Sequence, residues 1–169
     1  MSPELSHSLE KKWFSSLPAS RMAYPDTLAN RLKYAFWRFY TPCHPYVRDA
    51  VISLGIVRHV GRQNFILGTV APHLTLKEFT SFLISQGYGN HFVAWEDEGE
   101  IVSLRYVKDF THQYHLRVFK DREVRAHYEY TPECYPILHL KEKHFEPRSE
   151  EFLMLLGDTI VPHQGIKNQ

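Results

Sequence analysis

Between Gln113 and Tyr130 apolar and polar side chains alternate at nearly every position. That period of two marks strands with one face buried. Val124, Ala126, Tyr128 and Tyr130 alternate with Arg125, His127 and Glu129, while Tyr114, Leu116 and Val118 alternate with Gln113, His115 and Arg117. A one-residue slip would turn every apolar side chain outward, so the register is the one whose loop keeps the faces together. A two-residue turn at Asp121-Arg122 sets Leu116 opposite His127 and mixes them. A three-residue loop, Lys120-Asp121-Arg122, sets Leu116 opposite Ala126 and Val118 opposite Val124. It asks Arg122 to take a left-handed backbone that Gly would take more easily.

Extended upstream, the same reasoning gives a meander of four strands: His91–Trp95, Ile101–Val107, Gln113–Phe119 and Val124–Tyr130. A loop Asp97-Glu98-Gly99, with Gly99 left-handed, pairs Ala94 with Val102 and Phe92 with Leu104. Tyr106 then aligns with Tyr114. Phe92, Ala94, Val102, Leu104, Tyr106, Tyr114, Leu116, Val118, Val124, Ala126 and Tyr128 make one face, which belongs in the core.

The opposite face is polar. One row across it reads His91, Arg105, His115, His127, and the next reads Val93, Ser103, Arg117, Arg125, with Glu129 the nearest acid. Like charges facing each other on neighbouring strands destabilise a sheet, so a gathering of Arg and His suggests an anion site. A solvated face whose long side chains splay apart is the plain alternative.

The remainder of the chain supplies helices. Asp26 is placed to cap a helix running to Tyr40, with Leu28, Leu32, Ala35, Phe36 and Phe39 as its apolar stripe and Arg31, Lys33, Tyr34, Trp37, Arg38 and Tyr40 on its other side. Pro45 opens a second helix, which Gly55 stops. Ile56–Val60 and Asn64–Val70 read as a hairpin about Gly61-Arg62-Gln63. Thr75 and Glu78 form a capping box for a helix to Gln86 that buries Leu76, Phe79, Phe82 and Leu83. Ser149 caps a last helix presenting Phe152, Leu153, Leu155 and Leu156.

The expected fold is therefore α+β: an antiparallel β-meander of about four strands plus the earlier hairpin, with helices packed on one face and an N-terminal helical pair. The length, 169 residues, fits a single domain. Within it, 1–25 form an N-terminal extension, 26–55 the helical pair, 56–160 the α+β body and 161–169 a loose tail. No apolar run reaches membrane-spanning length, no secretory leader is visible, and two widely spaced cysteines suit a reducing compartment, so no membrane partner and a cytoplasmic location are expected. Residues 1–70 carry nine Lys/Arg against four Asp/Glu, while residues 71–169 carry eleven against fifteen, and a basic half points to an anionic partner.

Specific motifs are few. Pro72-His73-Leu74-Thr75-Leu76 resembles one half of the paired His-x-Ser/Thr signature of the two-histidine phosphodiesterases. The other candidates for a second half, His115-Leu116-Arg117 and His127-Tyr128-Glu129, lack the hydroxyl residue. Thr75 is already explained as a cap, so that family's catalytic roles are not carried across. Cys134-x4-His139-x4-His144, with Cys43-His44, matches neither a common zinc finger nor His-Glu-x-x-His, and no metal or cofactor is expected.

Three functional expectations follow. The first is a module binding nucleic acid or another polyanion through His91, Arg105, His115, Arg117, Arg125 and His127, with Arg31, Trp37 and Arg38 of the aromatic-basic helix. The second is a metal-independent nuclease or phosphodiesterase using His115 and His127 as acid and base. The third is a protein-interaction or inhibitor factor working through the N-terminal aromatics.

Overall fold

The computed structural model describes residues 17–20, 27–55, 65–91, 99–135 and 146–164. In chain order these form α1 (Leu28–Tyr40), a 3-10 turn (Thr41–Cys43), α2 (His44–Ser53), β1 (Ile66–Val70), α3 (Leu76–Ser85), β2 (Gly89–Asn90) and β3 (Glu100–Val107). They continue with β4 (His112–Phe119), β5 (Glu123–Tyr130), α4 (Ser149–Leu156), a second 3-10 turn (Gly157–Thr159) and β6 (Ile160–Pro162). The strands make one antiparallel six-stranded sheet in the order β2-β3-β4-β5-β1-β6. The α+β class, the meander and the N-terminal helical pair are as expected.

Register follows side-chain pattern in the meander. Leu116 lies opposite Ala126, Val118 opposite Val124, Tyr106 opposite Tyr114 and Leu104 opposite Leu116. Arg122 takes the left-handed backbone, with φ 73°, and Gly99 does so with φ 79°. Arg122 has a reason to accept that conformation. Its Nη2 donates to the carbonyls of Ala71 (2.9 Å) and Leu74 (2.7 Å), which ties the turn to the segment leading into α3.

One register differs from expectation. Asn90, not Phe92, sits opposite Leu104, a shift of two residues. A shift of two leaves every side chain on its original face, so alternation cannot detect it. The backbone of Pro18 takes the outer edge of this strand, its carbonyl accepting from Asn90 N at 2.7 Å. Phe92, Ala94 and the loop Asp97-Glu98 lie outside the described residues. So does Ile56–Val60, the expected hairpin partner of β1, whose two sides are taken by β5 and β6. The short strand β6 falls where a loose tail was expected to begin.

The core lies on the apolar face. Leu104, Leu116, Val118, Val124 and Ala126 pack with Phe79 and Leu83 of α3 and with Phe152 and Leu156 of α4. The Thr75–Glu78 capping box is formed in both directions. In α4, Leu155 points outward, and Arg148 occupies the cap position with Ser149 as the first helical residue. Asp26 lies outside the described residues, and Thr27 Oγ1 accepts from Asn30 N at the start of α1.

The N-terminal pair does not add its apolar stripe to this core. Leu28, Leu32, Phe36 and Phe39 are 74, 63, 57 and 76% exposed. No helix among the described residues is long and apolar enough to cross a membrane.

Candidate functional site

The polar face of the sheet is not a solvated surface. His115 and Arg117 are fully buried, as is Gln113, while His91, His127 and Glu129 are almost so. Antiparallel sheets often leave one face wet, but this one is covered on both. The alternating pattern finds which residues share the face and says nothing of what lies over it.

Each of the three sheet arginines expected to meet an anion is instead held by a carboxylate of the chain. Arg105 makes a forked pair with Glu133 (Nη2–Oε1 2.7 Å, Nη1–Oε2 3.0 Å), and its Nε and Nη1 also donate to Ser20 Oγ and Gln113 Oε1. Arg117 Nε donates to Glu100 Oε2 at 3.0 Å, and its Nη2 pairs with the same oxygen. Arg125 pairs with Glu123. Arg117 and Arg125 face each other across β4 and β5, and both lie over the Phe119 ring at 5.4 and 4.4 Å from its centroid. The like charges are therefore compensated locally.

Sequence reasoning missed Glu100 for a definite reason. Its even number assigns it to the core face. However, the ladder shifts between Glu100 and Val102, so that Glu100 faces Phe119 while Val102 faces Val118. This one-residue bulge turns its carboxylate onto the polar side. Glu133 lies in the turn after β5, where no strand pattern applies.

At the middle of the face three side chains converge. His115 and His127 are directly opposite on β4 and β5, and Glu129 is two residues beyond His127 on the same strand and face. His115 Nδ1 lies 3.3 Å from His127 Nε2 and 3.3 Å from Glu129 Oε1, and His127 Nε2 lies 3.3 Å from Glu129 Oε2. The outer nitrogen of His115, Nε2, shares a 2.6 Å hydrogen bond with Ser103 Oγ. Gln113 Nε2 donates to Glu129 Oε1 at 2.7 Å and sits 3.1 Å from His91 Nε2.

Burial pushes the His115 imidazole down to about 3, against the opposing pull of Glu129. Burial thus favours its neutral form. His91 belongs to the cluster's edge: its N–H donates to Ser103 O, and Gly89, not His91, lies opposite Arg105.

The remaining sequence candidates fall elsewhere. Arg31 and Arg38 are exposed on α1, with Trp37 half-buried. His73 is exposed, and Thr75 beside it is committed to its cap. Cys43 is exposed and Cys134 half-buried, both as thiols, while His139 and His144 lie outside the described residues. Comparison of the chain with protein-family models, curated proteins and solved structures gives no match.

Proposed function

We propose that the chain binds single-stranded nucleic acid through α1 rather than through the sheet. The observation that carries this reading is the surface of that helix. Arg31, Lys33 and Arg38 are exposed, the helix contains no acid, and Phe36 and Phe39 stand out between the cations. At about 100° per residue, Arg31 and Arg38 flank one side of the ridge Leu28-Leu32-Phe36-Phe39, and Lys33 flanks the other. Phe36, Trp37 and Tyr40 form a contiguous ring cluster with centroids 5.2–5.8 Å apart. Phosphates would sit against the cations and bases would stack on the rings, at about 1–3 kcal/mol per base. The sheet arginines, each already paired with a carboxylate, contribute less to an outside anion than their number suggests. The His115–His127 pair, buried and with His115 neutral, gives little support to metal-independent cleavage.

The test is a titration with a labelled oligothymidylate at several salt concentrations. Three phosphates neutralised predict a slope of log K against log salt of about −2. An R31E/R38E variant is expected to bind at least about tenfold more weakly and with a flatter slope. Salt-insensitive binding, or unchanged affinity in that variant, would contradict the reading.

A second reading rests on a separate observation. Leu28, Leu32 and Leu54 are 74, 63 and 71% exposed, and aliphatic surface gains nothing from a phosphate backbone. A protein partner would bury it, and co-purification of such a partner through nuclease treatment would favour this reading over the first.

A further inference from the structure

We infer that the cluster at the centre of the sheet is a binding site for one divalent first-row transition-metal ion, with His115 Nδ1, His127 Nε2 and the Glu129 carboxylate as its ligands. This stands apart from the reading of α1 and shares no residue with it.

Spacing is the first argument. Zinc bound to nitrogen or oxygen at about 2.0–2.1 Å with tetrahedral angles requires donor atoms about 3.3–3.4 Å from one another. His115 Nδ1 lies 3.3 Å from His127 Nε2, the two nitrogens each lie 3.3 Å from a different oxygen of Glu129, and one donor atom from each residue falls within 4.8 Å of the others, close enough for small side-chain movements to close the set on one ion. The atoms come from two adjacent strands in the middle of the sheet, so the backbone ladder fixes their positions.

The second argument is the surrounding shell. A ligating imidazole normally gives its other ring nitrogen to a fixed partner, which sets the tautomer and aims the lone pair inward. For His115 that partner is Ser103 Oγ at 2.6 Å. With the proton on Nε2, the Nδ1 lone pair points at the space it shares with His127 and Glu129. Gln113 Nε2 steadies the carboxylate in the same manner. Ring contact holds the two imidazoles in place, with centroids 4.8 Å apart and nearly perpendicular planes.

The donor set selects the class of ion. Two imidazoles and one carboxylate suit zinc, cobalt(II) or iron(II), whereas magnesium and calcium call for oxygen donors and retained water. Three protein donors leave one position of a tetrahedral ion for water or a small ligand. The motif escapes spacing rules because its ligands, at 115, 127 and 129, meet across a strand pair rather than along a loop or helix.

Chelator-treated full-length protein, titrated with zinc chloride and then with cobalt(II) chloride, tests the inference. One zinc per chain is expected, with visible cobalt absorption of tetrahedral intensity. Long-range proton–nitrogen NMR on the wild type should show His115 bound through Nδ1 and His127 through Nε2, which needs no variant. E129Q, which keeps the side-chain shape, should weaken zinc binding at least about 100-fold. Loss of the outer hydrogen bond in S103A should cost about 10–100-fold. H73A, at an exposed histidine, should leave binding unchanged. Fewer than one zinc per chain, nitrogen shifts confined to other histidines, or an E129Q protein that binds as the wild type does would overturn the inference and leave the cluster a hydrogen-bonded one.

Discussion

Among the described residues Arg117 is the largest side chain buried completely, and its pairing with Glu100 offsets part of the cost of burying its charge. A buried ion pair adds little net stability over an apolar pair of similar volume, because desolvation offsets the attraction, yet removing one partner strands a charge. E100Q is therefore expected to lower the unfolding free energy by about 3 kcal/mol in urea titrations. The partly exposed partner of Glu123 behaves differently, and R125A should cost less than about 1 kcal/mol. Similar losses for the two variants would mean that Arg117 has access to water. Individual residues were legible in the sequence only where a local rule governed them. The left-handed Arg122, the Gly99 turn and the Thr75–Glu78 cap each follow from turn or capping chemistry. Glu100 does not, because a bulge reverses its face.

At the level of elements, the meander is readable because burial of one face penalises a one-residue slip at every position. The two-residue shift of β2 carries no such penalty. The exposure of the α1 stripe has a related reason: an apolar stripe says that a helix has something to cover, not that the chain itself covers it. The junction of α3 with the sheet gives a pH-dependent prediction. Tyr88 N donates to Leu83 O at the end of α3, and the Tyr88 ring packs on Tyr106 of β3 at 5.7 Å. Burial pushes the Tyr88 phenol well above its ordinary range, and its hydroxyl has no hydrogen-bond partner among the described residues. The unfolded chain loses this proton from about pH 10 upward while the folded chain keeps it, so stability falls as pH rises past that point. Y88F should reduce this alkaline loss in thermal melts between pH 9 and about pH 11, and should not destabilise the protein at pH 7. An identical alkaline profile would place the loss elsewhere.

Across the whole molecule, the charge-rich sheet face and the apolar stripe of α1 exchange the places that simple patterning assigns them. Arg105, Arg117 and Arg125 are compensated within the fold, while the cations and rings of α1 look outward. Arg31, Lys33 and Arg38 of the basic first part of the chain lie at the surface, whereas the histidine–arginine clustering of the sheet is buried or half-buried. Both functional inferences rest on that inversion: an outside surface for an anionic partner and an inside centre for a metal ion. Histidine acylation by diethyl pyrocarbonate, mapped by mass spectrometry on the folded protein, measures it directly. His73 and His163 are expected to react quickly while His91, His115 and His127 stay unmodified until the chain is unfolded. Modification of His115 and His127 at the rate of His73 would contradict the account.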